Sequence, residues 1–167
     1  MNINELLIAE LKKESVSTKK LLECVPDGKN DWRPHERSFY LGRLASHVAE
    51  IPHWIGWILE SDELDMLARP FERHVCADSK ELMGYFEAKL DSGIAALEKA
   101  TNEDLMQEWT FRAGDKVIFK STRYEAMRAW AFNHQVHHRA QLGVYLRLLD
   151  IPIPGMYGPS ADDRAKA

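Results

Sequence analysis

The stretch "NHQVHHRAQLGVYLRLL", residues 133–149, places three histidines within five positions of a run that repeats apolar residues at helical spacing. On a helical wheel of about 100° per residue, His134 and His138 fall inside the apolar stripe of this helix. His137 falls at the edge of the stripe and is interpreted as peripheral. The i, i+4 pair is therefore the better candidate for a shared metal ion.

The whole chain has four segments with apolar residues at helical spacing, and this run lies in the last of them. No long segment alternates with period two. This pattern predicts an all-α fold, a four-helix bundle. The predicted helices cover about residues 3–25, 39–60, 79–99 and 122–149. Residue pairs at capping-box spacing mark the start of the third helix, the start of the fourth helix and a short extra turn between them: Asp78 with Glu81, Thr122 with Glu125, and Thr101 with Asp104.

Three segments between or after the helices lack a helical pattern. A loop that contains Arg69, Pro70, His74 and Cys76 is predicted before the third helix. The stretch "WTFRAGDKVIFKS", residues 109–121, is either a small β-hairpin or an irregular excursion. The tail "PIPGMYGPSADDRAKA" is rich in proline, glycine and charge, and it is predicted to be a loop followed by a loose end.

Length and composition restrict the class of protein. The chain has 167 residues, 45% of them hydrophobic and 29% charged, which predicts one domain over residues 1–167. The net charge is -4 and the basic residues are dispersed, so we expect no nucleic-acid partner. We also expect no membrane span and no signal peptide. Cys24 and Cys76 fit no zinc-finger spacing and are expected to be reduced, which favours a cytoplasmic protein.

The second predicted helix directs another histidine toward the core. His47 lies in the middle of an apolar stripe formed by Tyr40, Leu44, Ile51, Trp54, Ile55 and Ile58. Glu50 lies at the edge of this stripe, where its carboxylate either supports a ligating histidine or faces water. Pro52 predicts a kink one turn after His47, because proline cannot donate a hydrogen bond to the carbonyl of Val48.

His47, His134 and His138 thus converge from two helices, and this convergence suggests a metal centre. Neutral imidazole binds zinc, nickel, iron or copper, and three protein ligands leave positions open for water or substrate, as in catalytic sites. A single inward histidine is more often a hydrogen-bonded core residue. Three together favour a metal, because one ion satisfies three buried imidazoles at once. A metal-free helical scaffold is the remaining interpretation.

Other polar residues carry weaker expectations. His35, His53 and His74 are interpreted as loop or peripheral residues. Glu14 interrupts the apolar face of the first helix, so it either bonds a ligating histidine or substrate or extends to solvent. Gln141, Tyr145 and Trp54 are candidate pocket residues. A second face of the fourth helix either packs inside the monomer or forms a two-fold dimer contact, and we favour the dimer. This face is formed by Ala129, Phe132, Val136 and Gly143.

Three motifs together resemble the DinB family of bacterial proteins: "WRPHERSFYLGRLASHVAEIPHW" at residues 32–54, the HxxxHRxQ element at 134–141, and YGPSAD at 157–162. The resemblance implies an up-down-down-up four-helix bundle, often dimeric. It also implies a divalent metal held by one histidine of the second helix and two of the fourth, here His47, His134 and His138. The family name refers to induction by DNA damage and implies no DNA binding.

The wider superfamily includes S-transferases that use bacillithiol, mycothiol or glutathione, a thiol-dependent maleylpyruvate isomerase and metal-dependent hydrolases. Our hypothesis is a metal-dependent enzyme in which one divalent ion, nickel, zinc or iron, activates a thiol or a water for reaction with a small-molecule substrate. The partners expected are that substrate, a low-molecular-weight thiol, and a second copy of the chain. The alternative is a non-catalytic, stress-associated dimer that binds a metal or a ligand.

Overall fold

A computed structural model describes residues 2–68 and 73–165. The protein is mostly helical, with one small sheet. No helix in the described ranges is both long and apolar enough to cross a membrane. Arg69 and Pro70 of the predicted loop lie outside the described residues, whereas His74 and Cys76 of the same loop lie within them.

Helices occupy all four segments in which they were predicted, but two of the four are interrupted. The helices are α1 Ile3–Leu22, α2 Leu41–Glu50, α3 Trp54–Glu60, α4 Ser79–Lys99, α5 Asn102–Met106, α6 Arg123–Met127, α7 His134–Leu148 and α8 Ala161–Arg164. A 3₁₀ turn, Ile51–His53, joins α2 to α3, and a π-helical segment, Arg128–Asn133, joins α6 to α7. The predicted caps are confirmed, because the side chains of Asp78, Thr101 and Thr122 each accept a bond from the backbone N–H three residues later.

A three-stranded sheet corrects the all-α prediction. The strands are β1 Glu63–Asp65, β2 Glu108–Ala113 and β3 Lys116–Thr122, in the order β1-β2-β3. β2 and β3 form the antiparallel hairpin that was one of two alternatives for residues 109–121, and Gly114 supplies the left-handed turn with φ +57°. β1 pairs in parallel with β2. Three residues are too few to show an alternating pattern, so β1 leaves no signal in the sequence.

The interruption at Pro52 confirms the predicted kink and brings α4 close to it. Proline has no N–H to donate, and the chain tightens into the 3₁₀ turn at this point. The carbonyl of Pro52 then lies against Gly93 of α4, where an added Cβ would stand 2.4 Å from the Pro52 oxygen. Gly93 is therefore needed for the close approach of α4 to the kink that follows His47.

Replacing Gly93 by alanine is expected to destabilise the protein by about 1–3 kcal/mol, because a backbone carbonyl must move to admit the methyl group. Gly84→Ala in the same helix is the matched control, since nothing lies within 4 Å of a Cβ built at that position. That change should be stabilising by about 0.5–1 kcal/mol, because alanine is the better helix former. Urea denaturation of both variants checks the pair, and equal effects of the two changes would contradict the packing described.

Two hydrophobic clusters form the core. The first includes residues of α2 and α7, which carry the three histidines, and the second includes residues of the 3₁₀ turn after α2 and of the π-helical segment before α7. Val48 of α2 and Leu142 of α7 belong to one cluster, while Ile51 and Phe132 belong to the other. α2 packs against both α4 and α7. His47, His134 and His138 therefore lie where the chain passes from one cluster to the other.

The C-terminal tail contacts the rest of the fold as far as Asp162, so the prediction of a loose end is wrong up to that residue. Tyr157 donates a hydrogen bond from its hydroxyl to Glu14 Oε2 at 2.7 Å. Arg147 of α7 forms an ion pair with Asp162, and Ser160 caps α8. Ile153 packs against the first core cluster. Polar contacts and two apolar residues, Ile153 and Met156, fix a segment whose composition is typical of a loop.

Candidate metal centre

The three imidazoles predicted to converge do so. His47 of α2 and His138 of α7 are buried, at 6% and 8% exposure, while His134 is partly exposed. One ring nitrogen from each residue lies within 4.8 Å of the other two. The Nε2 atoms of His47 and His134 are 3.0 Å apart. The cluster therefore has the size of a single ion's coordination shell.

Side-chain acceptors orient two of the rings. His47 Nδ1–H donates to Glu50 Oε1 at 2.6 Å, and His138 Nδ1–H donates to Gln141 Oε1 at 2.8 Å. A carboxylate oxygen can only accept, so the proton of neutral His47 lies on Nδ1 and the lone pair lies on Nε2, the nitrogen that faces His134. Glu50 therefore bonds a histidine of the cluster instead of facing water alone, and its role as a support for a ligating histidine stays a prediction.

Arg43 of α2 holds the Glu50 carboxylate that bonds His47, and the sequence analysis did not identify it. Its Nη2 donates to Glu50 Oε1 at 2.8 Å, the same oxygen that His47 bonds. Burial opposes ionisation of Glu50, but the hydrogen bonds from His47 and Arg43 outweigh burial and hold its pKa below the usual value. Arg43 stands four residues before His47 and seven before Glu50, a spacing that places all three on one helix face and is a usable signal.

The electrostatics of the cluster favour neutral imidazoles. Burial, with the adjacent His138 and His47, lowers the pKa of His134 to about 3. Burial likewise lowers the pKa of His138 to about 4, although its hydrogen bond to Gln141 acts in the opposite direction. Neutral imidazole is the form that binds metals, so both rings are ready to act as ligands at neutral pH.

The donor set fits a divalent metal ion. Two nitrogens bound to one tetrahedral zinc at about 2.0–2.1 Å would lie about 3.3 Å apart, close to the 3.0 Å between His47 Nε2 and His134 Nε2. Two facing nitrogens need either a shared proton or a cation between them. Within the described ranges this candidate group consists of three histidines, with no further cysteine or carboxylate. Three ligands leave coordination positions for exchangeable groups.

Aromatic rings surround the imidazoles. The ring centroid of Trp54 lies 5.5 Å from that of His47 and 5.1 Å from that of His134, so Trp54 lines the cluster as predicted. Phe39 lies 6.3 Å from both His47 and His138 and is 43% exposed. The cluster therefore has apolar walls, with Phe39 between it and solvent. Tyr145, another predicted pocket residue, instead donates from its hydroxyl to the Phe39 carbonyl at 3.3 Å.

Glu14 does not bond a histidine of the cluster. Its Oε2 accepts from Arg139 Nη2 at 2.6 Å and from the Tyr157 hydroxyl at 2.7 Å, so it pairs with a buried guanidinium, and the predicted contact with a substrate stays a prediction. Burial raises the pKa of Glu14, but these two bonds outweigh it and leave the pKa lowered. Arg139, 2% exposed, immediately follows His138, and the sequence analysis did not single it out.

The remaining histidines lie outside the cluster. His53 Nδ1 bonds Ser92 Oγ at 2.9 Å, and the exposed His137 bonds Gln141 Nε2 at 3.0 Å. His74, with Cys76 and Glu81, forms a second group of ligand atoms within 4.8 Å of one another. In that group His74 Nε2 already bonds Glu81 Oε1 at 3.0 Å.

The structure thus defines a mostly helical protein with a candidate three-histidine metal centre. Residues 1–166 match the model of the DinB family, and the chain belongs to that family. A curated relative, the uncharacterized protein YrdA of Bacillus subtilis strain 168, is 25% identical over 153 residues, which are 92% of this chain and 87% of YrdA.

Two crystal structures share the fold. A DinB-like protein of Bacillus subtilis, YjoA, aligns with a TM-score of 0.70 at 20% identity, covering 90% of this chain and 96% of YjoA. A DinB-like protein of Bacillus cereus ATCC 10987 aligns with a TM-score of 0.69 at 23% identity, covering 93% of this chain and 98% of the other. The fold is therefore DinB-like.

Glu50→Ala is expected to weaken metal binding about 10- to 100-fold, because the His47 ring loses the acceptor that fixes it. The change also leaves Arg43 Nη2 without its carboxylate partner. Competition titration with a chromophoric chelator measures the affinity. The matched control is Glu87→Ala, which removes an exposed carboxylate paired with Lys19. Equal affinities for wild type and Glu50→Ala would exclude a supporting role for Glu50.

Proposed function

We propose that this protein is a metal-dependent enzyme that acts on a small molecule, with one divalent ion, nickel, zinc or iron, held by His47, His134 and His138. The observation that carries the proposal is the convergence of three imidazole rings, two of them buried, within 4.8 Å. Glu50 and Gln141 hold the Nδ1 protons of two of them, so that Nε2 is the free ligand atom. A buried neutral histidine needs one partner for its N–H and another for its lone pair, and a single cation could serve the lone pairs of all three rings.

A divalent ion at this point would supply a Lewis acid that lowers the pKa of a thiol or a water molecule. The chain itself positions the imidazole rings and excludes solvent from the site. Glu50 and Arg43 fix the ring of His47, and Gln141 fixes that of His138. Trp54 and Phe39 bring apolar surface to the same point, which strengthens electrostatic interactions there by removing water.

Thiol-dependent S-transfer is the reaction we favour, and hydrolysis is the second candidate. The exposed ring of Phe39 marks an approach to the histidines from solvent, as a small substrate requires. A direct test compares chelator-treated protein with protein reconstituted with nickel, zinc or iron. Glutathione, bacillithiol and mycothiol are each supplied with 1-chloro-2,4-dinitrobenzene for S-transfer, and 4-nitrophenyl acetate is supplied for hydrolysis.

We expect turnover with reconstituted protein, and loss of turnover after chelation and in His138→Ala. His137→Ala, which removes the exposed neighbouring ring, is expected to retain the wild-type rate. Equal rates before and after chelation would contradict metal dependence. Metal bound at one equivalent with no turnover would favour the non-catalytic alternative, a protein that binds a metal or a ligand without reaction.

We also propose a homodimer and, from the family resemblance, an up-down-down-up order of the four helical segments. Of the helix face predicted to form the dimer contact, Phe132 packs inside the monomer and Val136 remains 37% exposed. Val144 and Leu148 extend the exposed apolar surface of α7, at 59% and 58% exposure. Light scattering should therefore give twice the chain mass of 19.2 kDa, and a monomer mass would exclude the dimer.

A further inference from the structure

A second group of potential metal ligands lies at the start of α4. His74 and Cys76 belong to the segment before this helix, and Glu81 lies in its first turn. One ligand atom of each residue lies within 4.8 Å of the ligand atoms of the other two. This group shares no residue with the three-histidine group. It therefore has the size of a separate coordination shell.

Hydrogen bonds hold two of the three residues in place. Ser46 of α2 accepts a bond from the Cys76 N–H at 2.9 Å, which fixes the backbone of Cys76 against α2. One carboxylate oxygen of Glu81, Oε2, accepts from the Ala77 N–H at 2.7 Å. The other oxygen, Oε1, lies 3.0 Å from His74 Nε2. The bond from Ala77 thus turns Oε1 of Glu81 toward the imidazole ring.

The group is open to solvent on one side and borders the core on the other. The side chains of His74 and Glu81 are 42% and 43% exposed. Cys76 is 4% exposed and packs in the first core cluster. Because the ligand atom of Cys76 lies within 4.8 Å of the two exposed ligand atoms, a cation that enters between the imidazole and the carboxylate meets the sulfur next.

The distances and the donor types fit zinc or a similar ion. Ligand atoms bound to one tetrahedral zinc lie about 3.3–3.6 Å apart. The separation of 3.0 Å between His74 Nε2 and Glu81 Oε1 is close to this value. A thiolate and an imidazole favour zinc, cobalt or nickel over magnesium or calcium. One thiolate and one carboxylate together also balance the charge of a divalent cation.

We propose that His74, Cys76 and Glu81 form a second metal site, which binds zinc or a similar divalent cation and fixes the segment before α4 to the first turn of that helix. Binding forms a bond from Cys76 Sγ to the ion and releases the thiol proton to solvent, because the thiolate is the form that binds metals. Two of the ligands are exposed, so we expect the ion to leave during purification and to bind again when metal is added. The site goes beyond the proposed function and does not depend on it.

Cobalt(II) is the probe, because a bond between cobalt and a thiolate adds a charge-transfer absorption band in the near ultraviolet, and the three-histidine group contains no sulfur. Metal-free wild type is titrated with cobalt in a buffer free of other thiols. We expect a saturable band, which zinc removes by displacing cobalt and which excess magnesium leaves unchanged. Cys76→Ala should lose the band, and His74→Ala should weaken the cobalt binding that produces it at least about tenfold.

Cys24→Ala is the matched control, since it removes the other cysteine, which lies outside the group, and it should keep the band. His35→Ala removes an exposed histidine of another loop and should keep the wild-type affinity. His138→Ala should also keep the band, so this test is distinct from that of the proposed function.

A wild type without a saturable band, a band that persists in Cys76→Ala, or equal affinities of wild type and His74→Ala would each overturn the proposal. His74→Ala changes an exposed side chain, so it provides the test if Cys76→Ala does not fold. Displacement of cobalt by magnesium would contradict the assignment of a thiolate and an imidazole as ligands.

Discussion

About one equivalent of divalent metal per chain is expected to co-purify with the untagged wild-type protein, and at least about tenfold less with His134→Ala or His138→Ala. Each variant removes one of three ligands, and two imidazoles alone hold a divalent ion far less tightly in competition with cellular ligands. Inductively coupled plasma mass spectrometry of the purified proteins gives both the amount and the identity of the metal. This difference in metal content is the largest effect that we expect, and it tests the proposed function directly.

His137→Ala provides the control, because His137 lies on the same helix between His134 and His138 but is exposed. It bonds the Gln141 amide and contacts the edge of the His138 ring, and it is not part of the three-histidine group. The variant should retain the wild-type metal content. If wild type contains no metal even after reconstitution with nickel, zinc and iron, the three histidines are core residues and the enzymatic proposal fails. Equal loss in all three variants would indicate a general effect on folding.

Glu14→Ala is expected to lower the free energy of unfolding by about 3 kcal/mol, because it leaves a buried guanidinium without its carboxylate. Arg139 is 2% exposed, while the Glu14 side chain is 19% exposed. The expected loss of stability is therefore at the lower end of the losses found when one partner of a buried ion pair is removed. Arg139 Nη1 keeps its bonds to the Glu14 carbonyl and to Thr18 Oγ1, and these limit the loss. Urea denaturation of the wild type and the variant measures the difference.

Two further variants separate loss of charge from loss of packing. Tyr157→Phe removes two hydrogen bonds, the one that the hydroxyl donates to Glu14 and the one that it accepts from Arg139, and should cost about 1–2 kcal/mol. Arg139→Met removes the buried charge together with its need for a partner, and it should cost less than Glu14→Ala. A Glu14→Ala variant as stable as wild type would show that Arg139 gains no stabilisation from Glu14.

The three-histidine group could be predicted from the sequence because it depends on local geometry. His134 and His138 share a face through their spacing, His47 lies in an apolar stripe, and Glu50 follows His47 by one turn. Each of these relations needs only one helix. The convergence of the two helices followed from their shared core and from the resemblance to the DinB family.

Contacts between distant segments could not be predicted in the same way. The helical wheel correctly placed Glu14 on the apolar face of α1. Tyr157, the partner of Glu14, lies 143 residues away in a segment with the composition of a loop. A three-residue strand such as β1 is likewise defined by its neighbour β2 rather than by its own pattern. Nothing in residues 128–133 distinguishes a π-helical segment from a regular helix.

The π-helical segment joins α6 to α7 and makes the helical phase of one independent of the other. A π turn accommodates one residue more than an α turn, so the residues before and after it need not share one helical register. The orientation of α6 toward the hairpin is thereby uncoupled from the orientation of His134 and His138 toward His47. Deleting one residue from this segment would restore a regular helix, and it would rotate the two histidines relative to α6 by about 100°. The direction in which the imidazoles point is thus set by the length of the chain at this place as well as by the identity of its residues.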